Sequence, residues 1–185
     1  MATRYTRIAP RLQDFIEAQR LFFVATAAAD GPINLSPKGM DSLRVLDPNR
    51  VLWLNLTGSG NETAAHLSRD SRMTLMFCAF REPPMILRLY GQARAVHADH
   101  ADWASLLAHF PDLPGARQVI DMRVELAQTS CGFGVPLYEH IEDRNMLTNW
   151  ARKKGGQGIR DYWRDKNQFS LNGLPTGIPL DSETE

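Results

Sequence analysis

The chain has 185 residues, 43% of them hydrophobic, and its 21 lysines and arginines balance 21 aspartates and glutamates. That length fits one domain with a sizeable core. The neutral balance gives no global field for nucleic acid or an anionic membrane, so any anion site must be local. The stretch "MATRYTRIAPRLQDF" carries charge early and lacks the unbroken apolar core of a signal peptide. No apolar run approaches the roughly 20 residues that cross a bilayer. Cys78 and Cys131 are the only cysteines, too few for a disulfide framework, so reduced thiols and a cytoplasmic location are expected.

Pro10 opens a predicted helix, "PRLQDFIEAQRL", with Leu12, Phe15, Ile16 and Gln19 at helical spacing. In "FFVATAAADGPINLSPKG", Phe22 to Ala29 is a small and β-branched run, Asp30-Gly31 a hairpin signal, and Ile33 to Ser36 resumes the extended pattern. "SLRVL" runs into the turn Asp47-Pro48-Asn49, and "RVLWLNLT" reads as a buried strand. "NETAAHLSRD" is a short helix capped by Ser59 or Asn61. "RMTLMFCAF" is a strand, "REPP" a turn, and "MILRLYGQARAV" a longer strand in which Gly91 marks a bulge or a close backbone approach. Asp99 caps a helix through "HADWASLLAHF", and "RQVIDMRVELAQTS" alternates as a strand. From "CGFGVP" onward the pattern is helical with Gly and Pro breaks.

About six strands joined by mostly hairpin-length links, with no repeated strand–helix–strand crossover, predict an antiparallel Greek-key-type barrel with peripheral helices. The expected organisation is a single domain over 1–185, with the barrel over 10–130 and a C-terminal helical extension over 131–185.

Chemistry concentrates in "LWLNLTGSGNETAAHL". Thr57, Gly58, Ser59, Gly60 and Asn61 stand between a strand and a helix start. Glycines let the backbone approach an anion, hydroxyls donate to phosphate oxygens, and a helix start presents unpaired N–H groups. The same residue types also make ordinary helix caps, and both readings stand. Lys38, after Ser36 in "NLSPKG", is a mobile point charge suited to phosphate; the alternative is a surface lysine after a strand-ending proline. His97 and His100 straddle a strand end and a helix cap, which is not a metal-ligand arrangement, and no metal is expected. Cys131 has no identifiable base to activate it. The basic and aromatic stretch holding Trp150, Tyr162 and Trp163 reads as an amphipathic structural helix, not a nucleic-acid surface.

Taken in order, "FFVATAAADGPINLSPKG", "VLWLNLTGSGNETAAHLSRDSRMTLMFCAF" and "ILRLYGQARAV" resemble the pyridoxamine 5′-phosphate oxidase-like family of flavin mononucleotide (FMN) split-barrel proteins, over roughly residues 10–130. The matching features are a strand ending in small residues, a "DG.P" hairpin, a strand entering a polar loop and helix, and a strand containing glycine. "CGFGVPLY" is similar to a Cys-Gly element that ends the last barrel strand in related flavoproteins.

The resemblance implies FMN as cofactor, held by Ser36, Lys38, Asn55, Thr57, Gly58, Ser59, Asn61, Glu62 and Thr63. Thr57 matches a threonine that meets the flavin or its phosphate, and Asn61 a serine on the phosphate. Glu62 and Thr63 fall where authentic oxidases have adjacent Arg and Lys, so Lys38, with Arg44 or Arg88, must supply the missing charge. The insertion "GMDSLRVLDPN" also departs from the oxidase pattern, and both departures point away from pyridoxamine phosphate as the substrate. The implied function is an FMN-dependent oxidoreductase acting on a small molecule, with a deazaflavin (F420) reductase or a non-catalytic flavin or haem carrier as alternatives. The resemblance further implies a homodimer with cofactor sites at its interface, and no nucleic-acid or membrane partner.

Overall fold

A computed structural model describes residues 2–180. Its elements are β1 (Thr3–Tyr5), α1 (Pro10–Glu17), β2 (Phe22–Thr26), β3 (Asn34–Lys38), β4 (Leu43–Asp47), β5 (Arg50–Leu56), α2 (Glu62–Leu67), β6 (Arg72–Cys78), β7 (Ile86–Val96), α3 (Trp103–Leu107), β8 (Ala116–Ser130) and α4 (Met146–Lys166). The strands form one antiparallel sheet in the order β3-β2-β6-β7-β8-β5-β4, with β1 added to β8. β3 and β4 are the two ends of this path, so the sheet curls without closing. The mainly antiparallel architecture with peripheral helices is as expected. The strand count is eight instead of six. β1 is short, and Thr3 and Arg4 within it are exposed, so no apolar alternation announces it.

Alternation builds the main core. Phe22, Val24 and Thr26 are buried along β2, and their β3 partners are Lys38, Ser36 and Asn34, which therefore share the inner face. Leu12 and Ile16 of α1 pack into this core with Trp53, Leu75, Phe77 and Leu89. β5 is buried on both faces: Val51 and Trp53 face the main core, while Leu52 and Leu54 join Val96, Leu106, Phe110 and Val119 in a second cluster beneath α3. Gly91 is the expected close approach, because a Cβ there would lie 2.0 Å from the Arg123 carbonyl oxygen.

The C-terminal third differs from the helical expectation. Residues 131–145 are neither helix nor strand, and α4 begins only at Met146. Gly132 adopts φ +69° and sits so close to Met85 that a Cβ would reach its backbone nitrogen at 2.9 Å, a conformation that ends regular structure there. No helix of the described residues is long and apolar enough to cross a membrane.

Candidate functional site

The inner face of the sheet, where Lys38 of β3 meets Trp53 of β5, lies beside most of the polar side chains singled out in the sequence. Lys38 follows Phe22 inward, and its Nζ stands 5.1 Å over the Trp53 ring. Burial, then the positive charge of Arg117, push the lysine pKa down to about 8, and the Glu62 carboxylate pulls it the other way. Ser36 lies half-buried on the same inner row. Asn34 donates to Thr26 Oγ1 at 3.2 Å and to Thr63 Oγ1 at 3.1 Å, which ties β3 to α2. His66 Nδ1 lies 3.1 Å from Thr26 Oγ1. Asn55 is buried on β5 and donates to Gln118 Oε1 at 3.3 Å.

Arg117, at the start of β8, is buried and is the group sequence reading missed. It donates to Gln118 Oε1 at 2.8 Å, Gly58 O at 3.2 Å, Asn61 Oδ1 at 3.3 Å and Gly60 O at 2.7 Å. None of these acceptors is a carboxylate. Burial lowers its pKa to about 10, with Tyr162 and Glu62 opposing that shift. Two cations thus lie near enough to act on one another, and Glu62 is the carboxylate that acts on both. Among the described residues three buried side-chain nitrogens, His66 Nε2, His97 Nδ1 and Gln118 Nε2, have no hydrogen-bond partner, a costly state in a protein interior that a ligand or water relieves.

The loop from Thr57 to Asn61 is bound from within. Its carbonyls, not its N–H groups, face Arg117. The Asn61 N–H, which a helix start offers to an anion, is taken by Glu62 Oε2 at 3.0 Å, and Glu62 Oε1 accepts from Leu171 N at 3.4 Å. Thr57 Oγ1 donates to Gly115 O at 2.8 Å and accepts the Trp163 indole N–H at 2.9 Å. Asn167 donates to Gly58 O at 3.0 Å and Asn61 Oδ1 at 2.8 Å, and Asn61 donates to the carbonyls of Lys166 and Phe169. Ser59 and Gly60 remain exposed at the tip.

The two arginines considered as helpers of Lys38 lie elsewhere. Arg44 is bound to Asp41 and the His109 carbonyl, on the β4 face opposite Leu43. Arg88 alternates with inward Leu87 and Leu89, so it stands on the outer sheet face. Arg117 is the arginine whose charge acts on Lys38 instead. Cys131 is exposed, and backbone N–H groups, that of Phe133 foremost, lower its thiol pKa. Among the described residues no cluster of His, Cys, Asp or Glu could hold a metal ion.

With this geometry in place the chain can be compared with known proteins. The family model described as pyridoxamine 5′-phosphate oxidase matches residues 8–131. The chain belongs to the pyridoxamine 5′-phosphate oxidase family. A member from Aspergillus flavus, the family protein ustO, is 35% identical over 189 residues, which span 92% of this chain and 76% of that one. Among solved structures, HupZ of group A Streptococcus superposes with a TM-score of 0.55 at 21% identity, over 66% of this chain and 99% of that one. The FAD binding protein of Mycobacterium smegmatis superposes with a TM-score of 0.50 at 16% identity, over 69% of this chain and 98% of that one. At those identities the likeness is one of fold. The family match covers β2 to β8, leaves out β1, and stops at Cys131. Trp163 and Asn167, which hold the loop, therefore lie outside the matched stretch.

Proposed function

We propose that this member of the pyridoxamine 5′-phosphate oxidase family binds FMN and acts as an oxidoreductase on a small molecule, as a homodimer. One observation carries the reading: Lys38 and Arg117 repel one another, and among the described residues neither has a carboxylate bound to it. A phosphate dianion supplies the missing countercharge. The unpartnered nitrogens of His66 and Gln118 fit a polar ligand at the same side of the sheet. A flavin is also what the superposable Mycobacterium smegmatis protein is described as binding.

In this reading Lys38 and Arg117 fix the phosphate, and the hydroxyls of Ser36 and Ser59 donate to it. The Asn61 N–H does not, because Glu62 already holds it. The chain's part is to orient the cofactor and keep water from the buried cations. FMN, when bound, supplies hydride or electron transfer. The uncovered outer face of the sheet, where Leu35 is 64% exposed, supports pairing with a second copy.

Titration of the purified protein with FMN and with riboflavin, followed by quenching of flavin fluorescence, tests the reading. FMN should bind at least tenfold more tightly, the worth of about 1.5–3 kcal/mol for charged hydrogen bonds, and Lys38→Ala should remove most of that difference. Equal affinities, or a purified protein with a Soret band and no flavin uptake, overturn it.

A further inference from the structure

Two surfaces of the chain lack a partner within it. The first is the outer face of β3-β2-β6-β7-β8. Register places Leu35, Ala25, Thr74, Tyr90 and Leu126 in one row across it. The next row runs Pro37, Phe23, Met76, Arg88, Gln128 and Arg4. The helices pack elsewhere: α1 and α2 bury Leu12, Ile16 and Leu67 in the main core, and α3 covers the second cluster. Arg88 reaches only Ser130 Oγ at 3.3 Å, and among the described residues neither it nor Arg4 has a carboxylate partner.

The second surface is the irregular segment 131–145. A connection of this length without regular structure is uncommon inside a compact domain. Phe133 is 81% exposed, Leu137 64% and Ile141 91%. It also carries Glu139 and Glu142, which have no basic partner among the described residues. The segment is anchored to its own chain at its middle, by Tyr138 packing on Phe80 with ring centroids 5.5 Å apart, and near its end, by Asp143 lying 3.9 Å from Arg20. It leaves the sheet directly after Ser130, beside the row that holds Arg88 and Gln128.

We propose that residues 131–145 of one copy lie across the outer sheet face of a second copy, with Leu137 and Ile141 on Leu35, Phe23 and Met76, and Glu139 and Glu142 on Arg88 and Arg4. The two surfaces are complementary in both respects that count: apolar against apolar, and unpaired acid against unpaired base. Each copy owns one arm and one face, so a single two-fold axis satisfies both pairs and closes the assembly. This rests on the homodimer reading and adds which segment makes the contact.

Sedimentation velocity of the full chain at 1–50 μM tests it, alongside Ile141→Asp, Leu35→Asp, Arg88→Glu, Glu142→Arg and the double variant R88E/E142R. Ile141, Leu35 and Glu142 are exposed and Arg88 is half-buried, and circular dichroism confirms the fold of each variant. The wild type should be a dimer, Ile141→Asp and Leu35→Asp monomers, and each single charge reversal at least tenfold weaker in association. The double variant should recover most of that loss. If Ile141→Asp dimerises like the wild type while Leu35→Asp does not, the arm is wrong and the dimer stands. If the wild type is monomeric across the range, both fall.

Discussion

Lys38 points its ammonium at the face of the Trp53 ring, 5.1 Å from the centroid, and meets no acid there. Burial and Arg117 hold its pKa at about 8, below the ordinary 10.5. Between those values the unfolded chain keeps a proton that the folded chain has released, so stability rises with pH from 8 towards 10.5. Below 8 both states are charged and the penalty is constant. Lys38→Met should therefore stabilise the protein by about 1–2 kcal/mol at pH 7, with a smaller gain at pH 9.5, measured by urea unfolding. FMN affinity should fall as pH rises through 8 in the wild type and lose that dependence in the variant. A destabilised Lys38→Met contradicts the unpaired-cation reading.

Glu62 tunes the same lysine from the other side. Glu62→Gln keeps an acceptor for the Asn61 N–H but removes the charge, so the Lys38 pKa should drop further, read by NMR of labelled lysine. FMN binding at pH 6.5, where the lysine stays protonated, should tighten.

Arg117 is held by three groups of the 58–61 loop. Arg117→Ala strands those acceptors in the interior and should cost about 2–4 kcal/mol. Arg117→Lys, with a single ammonium, cannot span Gly58 and Gly60 together and should recover less than half, measured by chemical unfolding.

Asn167 donates to Asn61 Oδ1 at 2.8 Å, the oxygen that also accepts from Arg117. A double-mutant cycle with alanine at each should give a coupling near 1 kcal/mol. Trp163→Phe, which removes the donor to Thr57, should cost about 0.5–1.5 kcal/mol. Additive effects of the two asparagines would show that the C-terminal contact contributes nothing to the loop.

Gly91→Ala places a methyl group 2.0 Å from a backbone oxygen of the neighbouring strand. Neither strand can yield without breaking the register shift between Tyr90 and Gly91. The loss should be about 3 kcal/mol or more, seen in thermal unfolding or as insoluble protein.

Alternation and turn residues made the sheet readable: Phe22, Val24 and Thr26 announce an inner face, and Asp30-Gly31 a hairpin. Of the eight strands β1 alone matches no run named in the sequence, because it is three residues with little burial, stabilised by pairing with β8 and not by its own pattern. The polarity of the 57–61 loop was also legible, but its direction was not. Which way Gly58 and Gly60 turn their carbonyls depends on Arg117, more than fifty residues onward. Nothing local to "RQVIDMR" separates a buried guanidinium from an exposed one. The inward aim of Lys38 was decided by its register with Phe22, a pairing that the lysine's own neighbours do not encode.

Trp163 and Asn167 each follow their loop partners, Thr57 and Asn61, by 106 residues. Synthesis runs from the N-terminus, so every strand of the sheet has been polymerised before these two side chains exist. The loop beside Arg117 is thus the last part of the fold to be sealed. A released chain truncated after residue 160 keeps every strand but lacks both side chains, and limited proteolysis should cut it near Ser59 while sparing the full-length protein. Anything appended or removed beyond α4 acts first on a loop that lies in the opposite half of the sequence.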